Sequence, residues 1–207
     1  MSGGRKTERK RLFNQMIRTD IQEAVRSIVT RTGTRRITMD QVANEAGVSK
    51  GRLYLHFQSK KELVESVKEA CFEPLTDQLQ DILNGPLAPD EKIGNFVHRM
   101  FGYFDENRAL FRFLIDEREI AQSQAARQKS SRYRNFVERI AVVLDDGMGN
   151  GIFRKIKSRK VASMLVEAMI AMAARRLMDE NPGPAEEDTR LLIEVFFRGI
   201  ALRSEPH

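Results

Sequence analysis

Residues 37–63 read Ile-Thr-Met-Asp-Gln-Val-Ala-Asn-Glu-Ala-Gly-Val-Ser-Lys-Gly-Arg-Leu-Tyr-Leu-His-Phe-Gln-Ser-Lys-Lys-Glu-Leu, and the helix punctuation in this stretch decides the fold. Thr38 with Gln41 fits a capping box and Ile37 is placed to staple onto Val42, so a helix is predicted to begin at Thr38. Val42, Ala43 and Ala46 make one apolar stripe, and Gly47 tolerates the positive φ of a helix end, so that helix stops at Ala46. Ser49 caps a second helix, with Val48 positioned to staple onto Leu53, and Ser59 with Glu62 forms a further capping box ahead of Leu63. Two short helices joined by a Gly-Val-Ser turn, with a third launched straight after, make a helix-turn-helix.

Leu53 and Phe57 lie four apart and bury one face of the middle helix, which leaves Lys50, Gly51, Arg52, Tyr54 and His56 outside. That face suits DNA. Gly51 lets the backbone approach bases closely, Arg52 has the fork that fits a guanine edge, and Tyr54 has the reach for a phosphate. Lys60 and Lys61 at the next helix N-terminus suit backbone phosphates, and Thr38 and Ser49 at the helix starts complete the expected DNA-binding set. Charge points the same way. Residues 1–60 hold 13 Lys and Arg against 5 acidic residues, net +8, whereas residues 61–207 hold 22 against 24, net −2. Positive charge concentrated on one module is the footprint of a polyanion binder, because neutralising phosphates releases counterions.

The run Ala-Gly-Val-Ser-Lys-Gly-x-Leu-Tyr-x-x-Phe-x-Ser-Lys-x-x-Leu resembles the signature of the TetR (tetracycline-repressor) family of bacterial transcription regulators. The upstream helix fits as well, with Ile21, Ala24, Val25, Ile28 and Val29 at helical spacing and Gly33 after them. The specific resemblance covers residues 19–67. Val29 stands where Phe is frequent in that family, which changes core volume. Leu55 stands where Tyr or His is frequent, which leaves fewer polar groups for DNA.

What precedes and follows completes a two-part expectation. Residues 1–18 carry Arg5, Lys6, Arg9, Lys10, Arg11 and Arg18 against Glu8 alone, and are expected to form a flexible basic arm. Leu12, Phe13, Met16 and Ile17 also stand at helical spacing, so residues from Thr7 are a candidate extension of the first helix. Residues 19–66 are the expected DNA-binding domain and 67–207 a helical ligand-binding and dimerisation domain, an all-α chain. Breaks are expected at Pro74, at 84–89, at Gly147–Gly151 and at 181–184. Candidate helices run from Asp90 to Asp105, from about Asn107, from Gln122 to Asp146, from Ser158 to Glu180 and from Pro184 to Leu202. No apolar run reaches the ~20 residues that cross a bilayer, and no signal-peptide core follows the charged start, so a cytoplasmic protein without a membrane partner is expected. The single cysteine, Cys71, excludes an internal disulfide and reads as a buried thiol.

The resemblance implies that the second domain encloses a small-molecule effector, and that its last two helices pair with those of a second subunit. For the effector the chain offers composition only: Phe96, Met100, Phe101, Phe104 and Phe111 as apolar candidates, with His98, Tyr103 and Tyr133 as polar handles, and Arg112 or Arg132 against a carboxylate. For the homodimer, Leu165, Met169 and Met172 on one helix and Leu192, Val195 and Phe196 on the other are the expected interface. No enzyme is expected. The histidines are His56, His98 and His207, none in a metal-binding helical spacing, and no Gly-x-Ser-x-Gly elbow or phosphate loop occurs; neither metal nor cofactor is called for. The expectation is a regulator, repressive by family habit, on a palindromic operator in double-stranded DNA. Two alternatives stand beside it: an architectural DNA-binding protein of the same fold without effector, and a helical protein-interaction module.

Overall fold

The structure is a computed structural model that describes residues 3–33, 36–117 and 131–200, with side chains from residue 7 onward. Its helices are α1 (Gly3–Thr32), α2 (Met39–Glu45), α3 (Lys50–His56), α4 (Lys60–Asn84), α5 (Pro89–Glu106), α6 (Arg108–Asp116), α7 (Ser131–Gly149), α8 (Ser158–Met178) and α9 (Ala185–Ile200). The chain divides into two compact units. One takes in the described residues of Met1–Glu73 and Ala109–Ala121, the other those of Pro74–Arg108 and Gln122–His207.

In the first unit α1 buries Ile17, Ile21, Ala24, Val25, Ile28 and Val29, the row that its spacing predicts, against α2 and α3. It ends where Gly33 donates its N–H to Val29 O at 2.9 Å. The expected flexible arm needs correction, since from Gly3 onward its described residues are turns of α1. Good helix formers fill residues 8–12, and Glu8 pairs with Arg11 three residues on at 2.8 Å. The first helix of the core therefore continues upstream, leaving Leu12, Phe13 and Met16 half exposed on it.

The expected break at Pro74 is also absent, because α4 runs through it. Proline removes a helical N–H and crowds the preceding turn, at a cost of about 3 kcal/mol or more. Leu63, Val67, Cys71, Leu75, Leu79 and Leu83, buried at four-residue steps on both sides of it, hold the helix together. Cys71 is a buried thiol, as expected.

In the second unit α7 packs along α8, and α5 lies against α7, α8 and α9. Pro89 opens α5 and Glu91 accepts from the Ala88 N–H at 3.1 Å. The turn after α7 sets Phe153 against Gly147, where a Cβ would come within 2.2 Å of the Phe153 ring; Phe153 in turn stacks on Phe197 at 6.0 Å. The sequence reading of Gly147–Gly151 as a helix end and turn holds. The loop between α8 and α9 is fastened by Arg176, whose side chain is 3% exposed and pairs with Asp105 of α5 and Asp188 of α9, both at 2.7 Å. Its guanidinium also donates to Gly183 O at 3.0 Å, so a buried charge is matched by opposite charge and by carbonyls. The predicted helices at 90–105, 158–180 and 184–202 appear within a few residues of their expected ends; Ala201, Leu202 and residues 122–130 of the predicted long helix lie outside the described residues.

Candidate nucleic-acid interface

The side-chain caps at Thr38, Ser49 and Ser59 form, the last without its full reciprocal box. Thr38 Oγ1 accepts from the Gln41 N–H at 3.2 Å, and Gln41 Oε1 accepts from the Thr38 N–H at 2.8 Å. Gly47 takes φ +64°, its N–H donates to Asn44 O at 3.2 Å and that of Val48 to Ala43 O at 3.0 Å, a Schellman closure that turns the chain. Ser49 Oγ accepts from the Arg52 N–H at 3.2 Å and starts α3. At α4 the box is modified: Ser59 Oγ accepts from the Glu62 N–H at 3.1 Å, but the Glu62 carboxylate accepts from Gln58 N–H, one residue further back, at 2.8 Å.

The middle helix is seated by Leu53 and Phe57, both 0% exposed. Lys50, Gly51, Arg52 and Tyr54 are exposed as the spacing requires, and Leu55 beside them is 83% exposed. His56 is half-buried. Desolvation first, then the nearby Arg18 and Arg52 cations, hold its imidazole below the usual value, so near neutral pH it offers hydrogen bonds rather than charge. Lys50 is paired with Asp40 of α2 at 2.7 Å, and the hydrogen bond to that carboxylate raises its pKa. Arg52 lies over the Phe13 ring of α1 at 5.1 Å.

Several anchoring residues escaped the sequence reading. Arg18, placed with the arm, instead donates to His56 O at 2.6 Å and stacks 4.2 Å from the Phe57 ring, closing the C-terminal end of α3 against α1. Arg31 grips Glu45 of α2 with two hydrogen bonds of 2.8 and 2.7 Å, and Ser27 adds a third at 2.7 Å. Those bonds, Arg31's first, pull the Glu45 carboxyl down to about 2. The available signal for Arg18 was its place one residue past Ile17 on the α1 periodicity. Nothing local in sequence announces the Arg31–Glu45 pair. Lys60, expected at a phosphate, is held by Glu117 at 2.6 Å.

The expected effector residues do not gather into one described site. Phe96, Met100 and Phe101 are buried in the second unit and Phe104 is half-buried there, whereas Phe111 is buried in the first unit with Phe72 edge-on at 5.3 Å. His98 is exposed on α5, which removes it as a handle inside a cavity. Two of the expected interface residues are also corrected. Leu165 and Met169 are each 1% exposed, in the core of their own unit, while Met172, Leu192 and Phe196 are half-buried and Val195 is 63% exposed. The outward apolar rows run through Met164, Ala171 and Met178 on α8 and Leu191 and Val195 on α9. Helix α8 has apolar residues on every side, so its spacing could not say which row faces inward.

Comparison with known proteins agrees with this geometry. Residues 21–67 match the family described as bacterial regulatory proteins, tetR family. The nucleoid occlusion factor SlmA of Vibrio campbellii is 29% identical over 174 residues, 84% of this chain and 81% of that one. The HTH-type transcriptional repressor KstR2 of Mycolicibacterium smegmatis is 26% identical over 188 residues, covering 88% and 90%. A TetR transcription regulator from Haloarcula marismortui shares the fold with a TM-score of 0.76 at 16% identity, over 91% of this chain and all (100%) of the other. The helix-turn-helix of this chain, residues 21–67, is thus matched in sequence to the tetR family of bacterial regulatory proteins, and the chain as a whole shares the fold of a TetR transcription regulator.

Proposed function

We propose that the protein acts as a homodimer that represses transcription from a palindromic operator, with α3 of each subunit in the major groove, and leaves it when a small apolar or amphipathic effector binds the second unit. The observation that carries the DNA reading is Gly51. Glycine in a helix costs about 1 kcal/mol relative to alanine. Among the described residues, and apart from its chain neighbours and its own helix backbone, nothing lies within 4 Å of where its Cβ would stand, so packing gives no reason for it. The reason fits a partner that presses against the helix backbone. Arg52 reads a base edge from the next position, its guanidinium pre-set over Phe13. Ser49, Lys50, Tyr54 and Lys60 supply phosphate contacts, and a Ser49 hydroxyl that accepts in its cap retains a proton to donate. Thr38 acts through its cap, holding α2 in place, and His56 as a neutral hydrogen-bonding group.

Dimerisation is supported by the outward rows of α8 and α9, where Met164, Met178, Leu191 and Val195 are all more than half exposed. An effector releases DNA only by favouring one spacing of the two α3 helices over another. The second reading, the same fold on DNA without an effector, draws on the likeness to SlmA, a nucleoid occlusion factor. Arg52→Ala tests the base-reading role in anisotropy titrations. A loss of about 1–3 kcal/mol per half-site on operator, with a smaller loss on random duplex, is expected. Equal losses on both contradict it.

A further inference from the structure

Lys60 and Glu117 meet far from each other in sequence, Nζ to carboxylate oxygen at 2.6 Å, with side chains only 35% and 18% exposed. They share a cleft of about 520 Å³ whose described lining residues are all charged: Arg36 before α2, Lys60 at the start of α4, and Asp116 and Glu117 at the end of α6. Lys60 thus has its ammonium pointed at a carboxylate oxygen, the closest match within the protein to a phosphate oxygen. We propose that Glu117 is an internal competitor for DNA: it occupies Lys60 in the free protein, and a backbone phosphate displaces it on binding.

This deepens the DNA reading and rests on it. The competition follows from counting charges. A phosphate that takes Lys60 gains one cation, but it strands a partly buried carboxylate that had been neutralised, and the two effects offset each other. Lys60 then contributes little affinity in the wild type and more once Glu117 is neutral. Counterion release makes the same point. A new phosphate contact steepens the dependence of log K on log salt by about 0.9 for B-form DNA, whereas an exchanged one is partly compensated by the cation drawn to the freed carboxylate.

The test is a double-mutant cycle on the full chain, using operator and random duplexes at several salt concentrations, with Glu117→Gln, Lys60→Met and the two combined. Glu117→Gln is expected to tighten binding to both duplexes by about threefold to tenfold, short of a full charge-assisted contact because the pair is partly exposed, and to steepen the salt slope. Lys60→Met alone should lose less than the same change made in the Glu117→Gln background, and that background's gain should vanish without Lys60. Thermal melting of each variant shows that it is folded; should Glu117→Gln not fold, Glu117→Ser puts a small neutral group there for the same cycle. Unchanged affinity in Glu117→Gln, or an equal gain with Lys60 removed, overturns the competitor role while wild-type binding leaves the DNA reading standing. If the wild type binds neither duplex, the DNA reading itself fails.

Discussion

Gly51 and Arg52 sit side by side at the start of α3, and each is exposed for a different physical reason. Arg52 has a long side chain that its helix neighbours cannot bury, and an aromatic ring from α1 to lie on. Gly51 has no side chain, in a helix that has room for one. Its replacement by alanine relieves the backbone entropy cost and is expected to stabilise the fold by about 0.5–1 kcal/mol. The same methyl group stands where the proposed duplex approaches, so operator affinity is expected to fall on the order of tenfold, a loss within the range of a good base contact. Melting and binding measured on one preparation check both directions together. A Gly51→Ala protein that is more stable and binds as well as wild type contradicts the close approach. The outward set on α3 was legible because Leu53 and Phe57 fix the inward face and the rest follows from helical period. Arg18 was not, since its partners, His56 O and the Phe57 ring, are thirty-eight and thirty-nine positions away and no spacing rule connects them.

At the scale of elements, the caps carried the reading of α2 and α3, because Thr38, Gln41, Gly47 and Ser49 each satisfy a backbone group within a few residues. Helix α4 was cut too early in the sequence. Local chemistry at Pro74 argues for a break, but the buried row on either side outweighs it. Helix α8 shows the opposite failing, with apolar residues on every side and therefore an undetermined inner face. The brace between α1 and α2 has its own pH signature. Glu45 sits at about 2, below its ordinary value of 4.5, because it is held by Arg31 and Ser27. Its contribution is therefore present above 4.5 and lost as pH falls from there through about 2. Wild type should melt above Glu45→Gln at pH 6, and the two curves should converge as the pH approaches 2. A gap that stays constant over that range, or none at pH 6, removes the brace from the account.

For the whole molecule, the basic excess of the first 60 residues and the balanced charge of the remainder divide the labour that the proposed function requires. The rows through Met164, Ala171 and Met178 and through Leu191 and Val195 are its expected seam between subunits. Val195→Glu puts a charge on an exposed position, so the fold should persist while the dimer separates. Sedimentation should then report a monomer, and operator affinity should drop on the order of a hundredfold as the second α3 ceases to act as a tethered partner. A dimeric Val195→Glu protein would move the seam elsewhere. The most direct test of the central claim, that the outward face of α3 reads DNA twice per dimer, is a footprint of the wild-type protein on the DNA upstream of its own gene. Two protected half-sites related by a two-fold axis are expected, their centres about one helical turn (~34 Å) apart. Diffuse protection without half-sites, or none at low salt, would contradict it.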